Sequence, residues 1–260
     1  MSIVAEMSKK LTLDQIEQYH ADGYCSPVEV MSEAAAAELK ARLEQAENQY
    51  PEVLGPTNRN NTHLVLKCMD EVAFHPEIVN AVEDLLGPDL LLWGSVLFIK
   101  EPRTTAFVSW HQDATYMALE PHDFVTPWLA LTPRNAESGC MRVIPGSHKS
   151  AIKPHQDTFV EDNILTRGQN INEVDDSQAI DIVLRPGQMS MHHPRLVHSS
   201  KPNLSNHRRI GVALQSYMTS AVSQTGFPGY ALPVRGHSEQ SNFQLGRRPD
   251  EDMTADAIRW

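Results

Sequence analysis

The chain has 260 residues, 41% of them hydrophobic, and a formal net charge of −11 at pH 7. That length and apolar content suit a sizeable core in one elaborated domain, 1–260. Acidic and basic residues are interspersed, which excludes the basic stripe that a phosphate-backbone binder needs, so no nucleic-acid partner is expected.

The N-terminus shows no basic segment leading into an apolar run and a small-residue cleavage site, and no apolar stretch approaches the ~20 residues that cross a bilayer. No membrane partner is expected, and a cytoplasmic location follows. Cys25, Cys68 and Cys140 are odd in number and in no CxxC arrangement, which fits reduced thiols without a catalytic role.

In chain order, Thr12 with Gln15 reads as a capping box opening an amphipathic helix through His20, and Gly23 stands where a C-terminal cap belongs. Ser32 begins a second helix through the alanine-rich 34–37 to Leu39 and Leu43, and a third runs from Pro76 to Gly87. The N-terminal segment, about 1–89, is therefore predicted helical. From Leu90 the pattern changes to short apolar runs at 90–93 and 96–99, then 125–131, 141–144, 180–184, 189–192 and 210–217, with turns at Pro145-Gly146 and Pro186-Gly187. Many short strands at this spacing predict a mainly β fold with flanking helices: a jelly roll over about 90–217, with the N-terminal helices packed on one sheet. The polar stretch 153–176 is too long for a hairpin and reads as a functional loop or lid. The tail 236–260 is polar and charged, and a poorly ordered end is expected there.

The chemistry concentrates at Trp110-His111-Gln112-Asp113. On an extended strand, residues two apart point to the same side, so His111 and Asp113 can grip one metal ion while Gln112 points away. A two-His-one-carboxylate triad needs a second imidazole and leaves three coordination positions open. His198 is the candidate; His192 and His193 read as strand-end residues lining or supporting the pocket, with ligation by one of them as the alternative, and His148 as a turn residue. After His198, Ser200 can donate a hydrogen bond, and an arginine at 208–209 can hold the far carboxylate of a dicarboxylic acid. Adjacent strand residues face opposite sides, so only one of these arginines enters the pocket.

Together, Trp110-His111-Gln112-Asp113, Trp128-Leu129-Ala130-Leu131, Gly139-Cys140-Met141, Ile144-Pro145-Gly146-Ser147-His148-Lys149 and the run from His198 to Arg209 resemble the phytanoyl-CoA dioxygenase family of non-haem iron oxygenases. The resemblance implies a double-stranded β-helix of the cupin kind, with His111, Asp113 and His198 as iron(II) ligands. It implies Arg209 as anchor of the cosubstrate 2-oxoglutarate, Ser200 and Trp128 in support, O2 as second cosubstrate, and Arg208 as a surface charge. Halogenating relatives carry a small residue in place of the carboxylate, so Asp113 favours hydroxylation.

Substrate choice is expected to lie in variable polar surroundings: Arg59, Asn61 and His63, then Tyr116 after the triad, and Arg167 in the long loop. These suit a small polar or zwitterionic substrate better than a long acyl chain. The run 110–116 and the overall length look similar to bacterial hydroxylases of aminoethylphosphonates, which act at the carbon next to phosphorus. Arg59, Asn61, His63 or Arg167 would then bind phosphonate, and Tyr116 would face the amine. Hydroxylation of an amino acid, a carrier-bound acyl group or a secondary metabolite is the alternative within the class. Outside it stand a jelly-roll binding protein without turnover and a metal-dependent hydrolase or isomerase. Oligomeric state is open.

Overall fold

Thr12 and Gln15 cap the first helix reciprocally: the Thr12 hydroxyl accepts from the Gln15 amide, and the Gln15 side chain accepts from the Thr12 amide, which satisfies two otherwise orphaned donors. In the computed structural model, which describes residues 8–55, 59–165, 167–226, 229–237 and 241–254, α1 (Leu13–Asp22) ends at Gly23. The chain then enters β1 (Tyr24–Glu29). Three more helices follow: α2 (Glu33–Gln49), capped by the Ser32 hydroxyl, α3 (Lys67–Ala73), and α4 (Pro76–Leu86), with proline in its first turn. Next come β2 (Leu90–Leu92), β3 (Val96–Lys100), β4 (Val108–His111), α5 (Ala114–Met117), β5 (Leu119–Glu120) and β6 (Phe124–Ala130). They are followed by β7 (Met141–Val143), β8 (Ile180–Ile182), β9 (Gln188–His192), β10 (His198–Ser200), β11 (Arg209–Ala213) and β12 (Tyr217–Thr219). The described chain ends with β13 (Ser223–Gln224), β14 (Gly229–Arg235) and β15 (Phe243–Leu245).

A nine-stranded sheet runs β1-β9-β6-β12-β2-β14-β15, with β11 pairing both β6 and β3; a four-stranded sheet runs β4-β10-β7-β8. Strand alternation divides the work of the larger sheet. Leu97, Ile99, Val125, Leu129, Met189, Met191, Ile210 and Val212 join Leu39, Leu43, Ile78 and Val82 of α2 and α4 in one core. Each such side chain contributes roughly 1.5–3 kcal/mol by leaving water. The alternate residues Phe98, Thr126, Trp128, His192, Arg209 and Ala213 line a pocket on the opposite face. The jelly roll with helices on one sheet is therefore the fold of this chain.

Four features differ from the sequence expectation. β1 was not foreseen, because Tyr24-Cys25-Ser26-Pro27-Val28-Glu29 carries a proline; it pairs only β9 at the sheet's end, where proline is tolerated. α3 has no side-chain cap and is held by burial of Cys68, Met69 and Val72. The strand expected at 210–217 divides into β11 and β12 around Ser216, whose φ is 61°. β14 and β15 carry the larger sheet beyond the expected limit of 217, into the tail.

The tail is anchored as far as Thr254. Arg248 Nε and Nη2 donate to the fully buried Asp70 carboxylate at 2.8 Å each, with the guanidinium 3.9 Å from the centre of the Phe74 ring, and the Met253 amide donates to Val65 O. Residues 255–260, where the poorly ordered end was expected, lie outside the described residues. The stretch 153–176 is stitched to β4: Ile171 N donates to Trp110 O, and Asn163 Nδ2 to the Ser109 hydroxyl. Cys25, Cys68 and Cys140 are buried and unpaired.

Candidate active site

Antiparallel pairing of β10 with β4 sets His198 opposite His111, with ring centroids 4.0 Å apart. β4 ends at His111, and Asp113 already has helical dihedrals (φ −57°, ψ −37°) at the start of α5. Strand alternation is therefore not what joins His111 to Asp113. A turn out of the strand brings the carboxylate back, placing Asp113 Oδ1 3.4 Å from His111 Nε2 and 3.6 Å from His198 Nε2. Gln112 does point away. Its side chain donates to Arg195 O at 2.6 Å and accepts from the Lys153 amide at 2.8 Å, tying the turn to the long loop.

The donor set fits a divalent metal. His111 Nδ1 and His198 Nδ1 each lie 2.9 Å from a backbone carbonyl, of Ser109 and Leu196 respectively. A carbonyl can only accept, so each Nδ1 donates and Nε2 is the nitrogen left to face a metal. Burial, reinforced by His111, pushes His198 down to about 3, so it is neutral at physiological pH. Burial alone would raise the Asp113 carboxyl, but the positive charge that the facing histidines can carry outweighs burial and holds it well below the usual carboxylate range. One ligand atom from each residue thus converges within 4.8 Å of the others. Three lone-pair donors so placed repel one another unless a cation stands between them, and two imidazoles with one carboxylate suit iron(II).

His192 supports this set. Its Nε2 lies 3.0 Å from Asp113 Oδ2, which directs Oδ1 toward the two ligand imidazoles. Replacing His192 with Leu should weaken divalent-metal binding about 10- to 100-fold with unchanged circular dichroism, and His192→Gln, which keeps a donor, should recover part of the loss. Wild-type affinity in the Leu variant, read by competition against a chromogenic chelator, would remove His192 from this role.

The other end of the pocket is cationic. Arg209 is 2% exposed and donates from Nη1 to Gly139 O at 2.6 Å; burial pulls it down to about 10. Trp128 and Ser200 line the same pocket. Two residues not anticipated from sequence stand with them. Lys100, 1% exposed, donates to the Ser200 hydroxyl at 2.8 Å and to Lys201 O at 2.5 Å; burial, then Arg209 and Arg134, push it down to about 6. Arg134 is the second. Neither carried a sequence signal: Lys100 ends an apolar strand, and Arg134 follows Thr132-Pro133. Arg208 faces outward to Glu44, Glu47 and Glu101.

The substrate candidates separate. Tyr116 is 37% exposed and meets His111 edge-on, with centroids 5.9 Å apart. Asn61 and His63 line an adjoining cavity with Trp93, Gln224 and Gln215, and Gln215 also borders the metal pocket. Arg59 and Arg167 stand apart from these groups. Arg59 donates to Ile99 O at 3.2 Å and lies 3.9 Å from Glu101, whereas Arg167 pairs with Asp157 at 3.4 Å on the exposed loop. Arg59 Nε is buried without a hydrogen-bond partner, and neither arginine lines the pocket or the adjoining cavity.

The profile of the family described as phytanoyl-CoA dioxygenase matches residues 19–211, a span that includes His111, Asp113, His198 and Arg209. The chain belongs to the phytanoyl-CoA dioxygenase family. Its family relatives include the peroxisomal phytanoyl-CoA dioxygenase of Homo sapiens, 30% identical over 133 residues that make up 49% of this chain and 39% of that one. Another is the probable α-ketoglutarate-dependent hypophosphite dioxygenase of Stutzerimonas stutzeri, 30% identical over 152 residues, 57% of this chain and 52% of that one. The chain thus matches about half or less of the length of these curated relatives. Among solved structures, the non-haem monooxygenase ThoJ superposes with a TM-score of 0.85 at 33% identity, covering 95% of this chain and 92% of that one. CytC3 with Fe(II) and α-ketoglutarate superposes at 0.70 and 21% identity over 94% and 96% of the two chains, a likeness of fold.

Proposed function

We propose that this protein is an iron(II)- and 2-oxoglutarate-dependent dioxygenase that hydroxylates an unactivated C–H bond of a small polar substrate. The observation that carries this reading is the pocket's polarity: a metal-fitting His111-Asp113-His198 set and the buried, carboxylate-free Arg209 line one cavity. Together, iron(II), 2-oxoglutarate and O2 supply hydroxylation of a substrate C–H bond, coupled to loss of carbon dioxide and formation of succinate. His111 Nε2, His198 Nε2 and an Asp113 oxygen would hold the metal, a three-ligand set that leaves it room to take the cosubstrates. Arg209 would hold the distal carboxylate of 2-oxoglutarate by charge-assisted hydrogen bonds, with Ser200 beside it and Trp128 forming the wall. Phe98, Val108 and Met141 complete an apolar lining that keeps water out.

The adjoining cavity favours a small polar substrate: Asn61, Gln215 and Gln224 offer neutral amides, and Trp93 an aromatic face. Aminoethylphosphonates, with or without N-methyl groups, are the first compounds to test, because one relative is described as a probable dioxygenase of another phosphorus oxyacid, hypophosphite. Amino acids follow.

The deciding experiment is anaerobic titration of the protein with iron(II) and 2-oxoglutarate, read by the visible charge-transfer band of the chelate, followed by succinate release across a substrate panel. A band requiring both additions is expected. No band in folded protein would favour a hydrolase or a binding protein, and oxygen-independent turnover would select the hydrolase.

A further inference from the structure

The inner end of the pocket holds more positive charge than one anchor requires. Arg134 and Arg209 are each 2% exposed and both line the cavity. Arg134 Nε and Nη2 and Arg209 Nε are buried without hydrogen-bond partners, a costly state for guanidinium donors. Arg134 faces the cations Arg209 and Lys100, burial pushes the neighbouring Cys140 thiol up to about 11, and no carboxylate acts on either arginine. The groups acting on Asp113 are instead the imidazoles of His198, His111 and His192. The pocket thus has a metal end and a cation end.

The cation end is built with care. Reciprocal backbone hydrogen bonds between Arg134 and Leu184, at 2.9 and 3.1 Å, fix the point from which the Arg134 side chain enters. Its guanidinium lies over the Trp128 indole, and that of Arg209 lies 5.7 Å from the same ring's centroid. Gly211 stands between Arg209 and Ala213 on the pocket face of β11. A Cβ there would lie 1.7 Å from Trp128 Cη2 and 2.4 Å from Arg134 Nη2. The strand is cut back where the indole and the second guanidinium need space.

We propose that Arg134 is a second anion-binding residue of this pocket, so that the distal carboxylate of 2-oxoglutarate is held by two guanidiniums packed on Trp128. The inference rests on the cosubstrate reading above. A carboxylate has lone pairs for two donors at each oxygen, so a second fork can bind without displacing the first. It also supplies the counter-charge that both buried arginines lack.

The test titrates 2-oxoglutarate, and separately glutarate, into the iron(II)-loaded protein under anaerobic conditions, read by calorimetry and by thermal unfolding. Arg134→Met should bind both dicarboxylates about 10- to 100-fold more weakly, the range expected when a charged hydrogen bond is lost. Its ligand-free unfolding temperature should be unchanged or higher, because an unpaired buried cation has been removed, whereas the rise caused by 2-oxoglutarate should shrink. Arg134→Lys, which keeps the charge without the planar fork, should fall between the two. Wild-type affinity in Arg134→Met, with affinity lost in Arg209→Met, overturns the inference and leaves the cosubstrate reading standing. A lower ligand-free unfolding temperature with unchanged affinity gives Arg134 a structural role and also overturns it. No binding to iron-loaded wild-type protein defeats the cosubstrate reading itself.

Discussion

Asp113→Ala is expected to abolish 2-oxoglutarate-dependent turnover and to weaken iron(II) binding by about 100-fold or more, since changing even a group behind a metal ligand costs 10- to 100-fold. The charge-transfer band should fail to develop at metal concentrations that saturate the wild type. The fold should survive. Asp113 makes no side-chain capping bond to α5, so the helix loses no cap, and the hydrogen-bond partner given up is His192 Nε2. His111 and His198 keep their carbonyl partners and the β4–β10 register. Two imidazoles would remain, correctly oriented but without the negative charge that offsets a divalent ion. A wild-type band in Asp113→Ala would mean that another group completes the site, and the carboxylate assignment would fall.

That assignment could be read from the sequence, although the reason given for it was incomplete. His-x-Asp on a strand predicts two side chains on one face, yet here the strand stops at His111 and the helical turn at Asp113 produces the convergence. The pattern pointed to residues that do converge, because both geometries leave Gln112 facing elsewhere. Helix starts were legible where a side chain marks them: Thr12, Ser32 and Pro76 each announce an element by local chemistry. α3 lacks such a mark and exists because Cys68, Met69 and Val72 find a core, which only the fold reveals. The same holds for Arg134 and Lys100. A lone arginine or lysine reads as solvated until tertiary structure closes over it. The converse holds for Arg59 and Arg167, whose loops read as free cations, whereas Ile99 O, Glu101 and Asp157 lie against them.

Gly139→Ala is expected to cost about 2–5 kcal/mol of stability, combining ~1–2 kcal/mol for a left-handed alanine with ~1–3 kcal/mol for overpacking. Gly139 has φ 65°, and a Cβ there would lie 2.2 Å from Lys201 O and 2.5 Å from Pro202 O. These are backbone atoms that no rotamer change can move. Gly146→Ala is the control: φ is 75°, but the nearest atom is 3.9 Å away, so only the conformational cost should appear. In thermal unfolding the first variant should melt roughly 10 °C below wild type and the second only a few degrees below, on the usual scaling of ~2–4 °C per kcal/mol for a chain of 150–250 residues. The damage should also be directional. Gly139 O accepts from Arg209 and Lys201 O from Lys100, so displacing these segments disturbs the cation end first. His111 and His198 are set by the register of β4 with β10, so surviving folded protein should bind iron(II) nearly normally while its affinity for 2-oxoglutarate falls. Equal loss of both would show that the two ends of the pocket are mechanically one unit, and equal melting of the two alanine variants would show that the 201–202 backbone yields where close packing says it cannot.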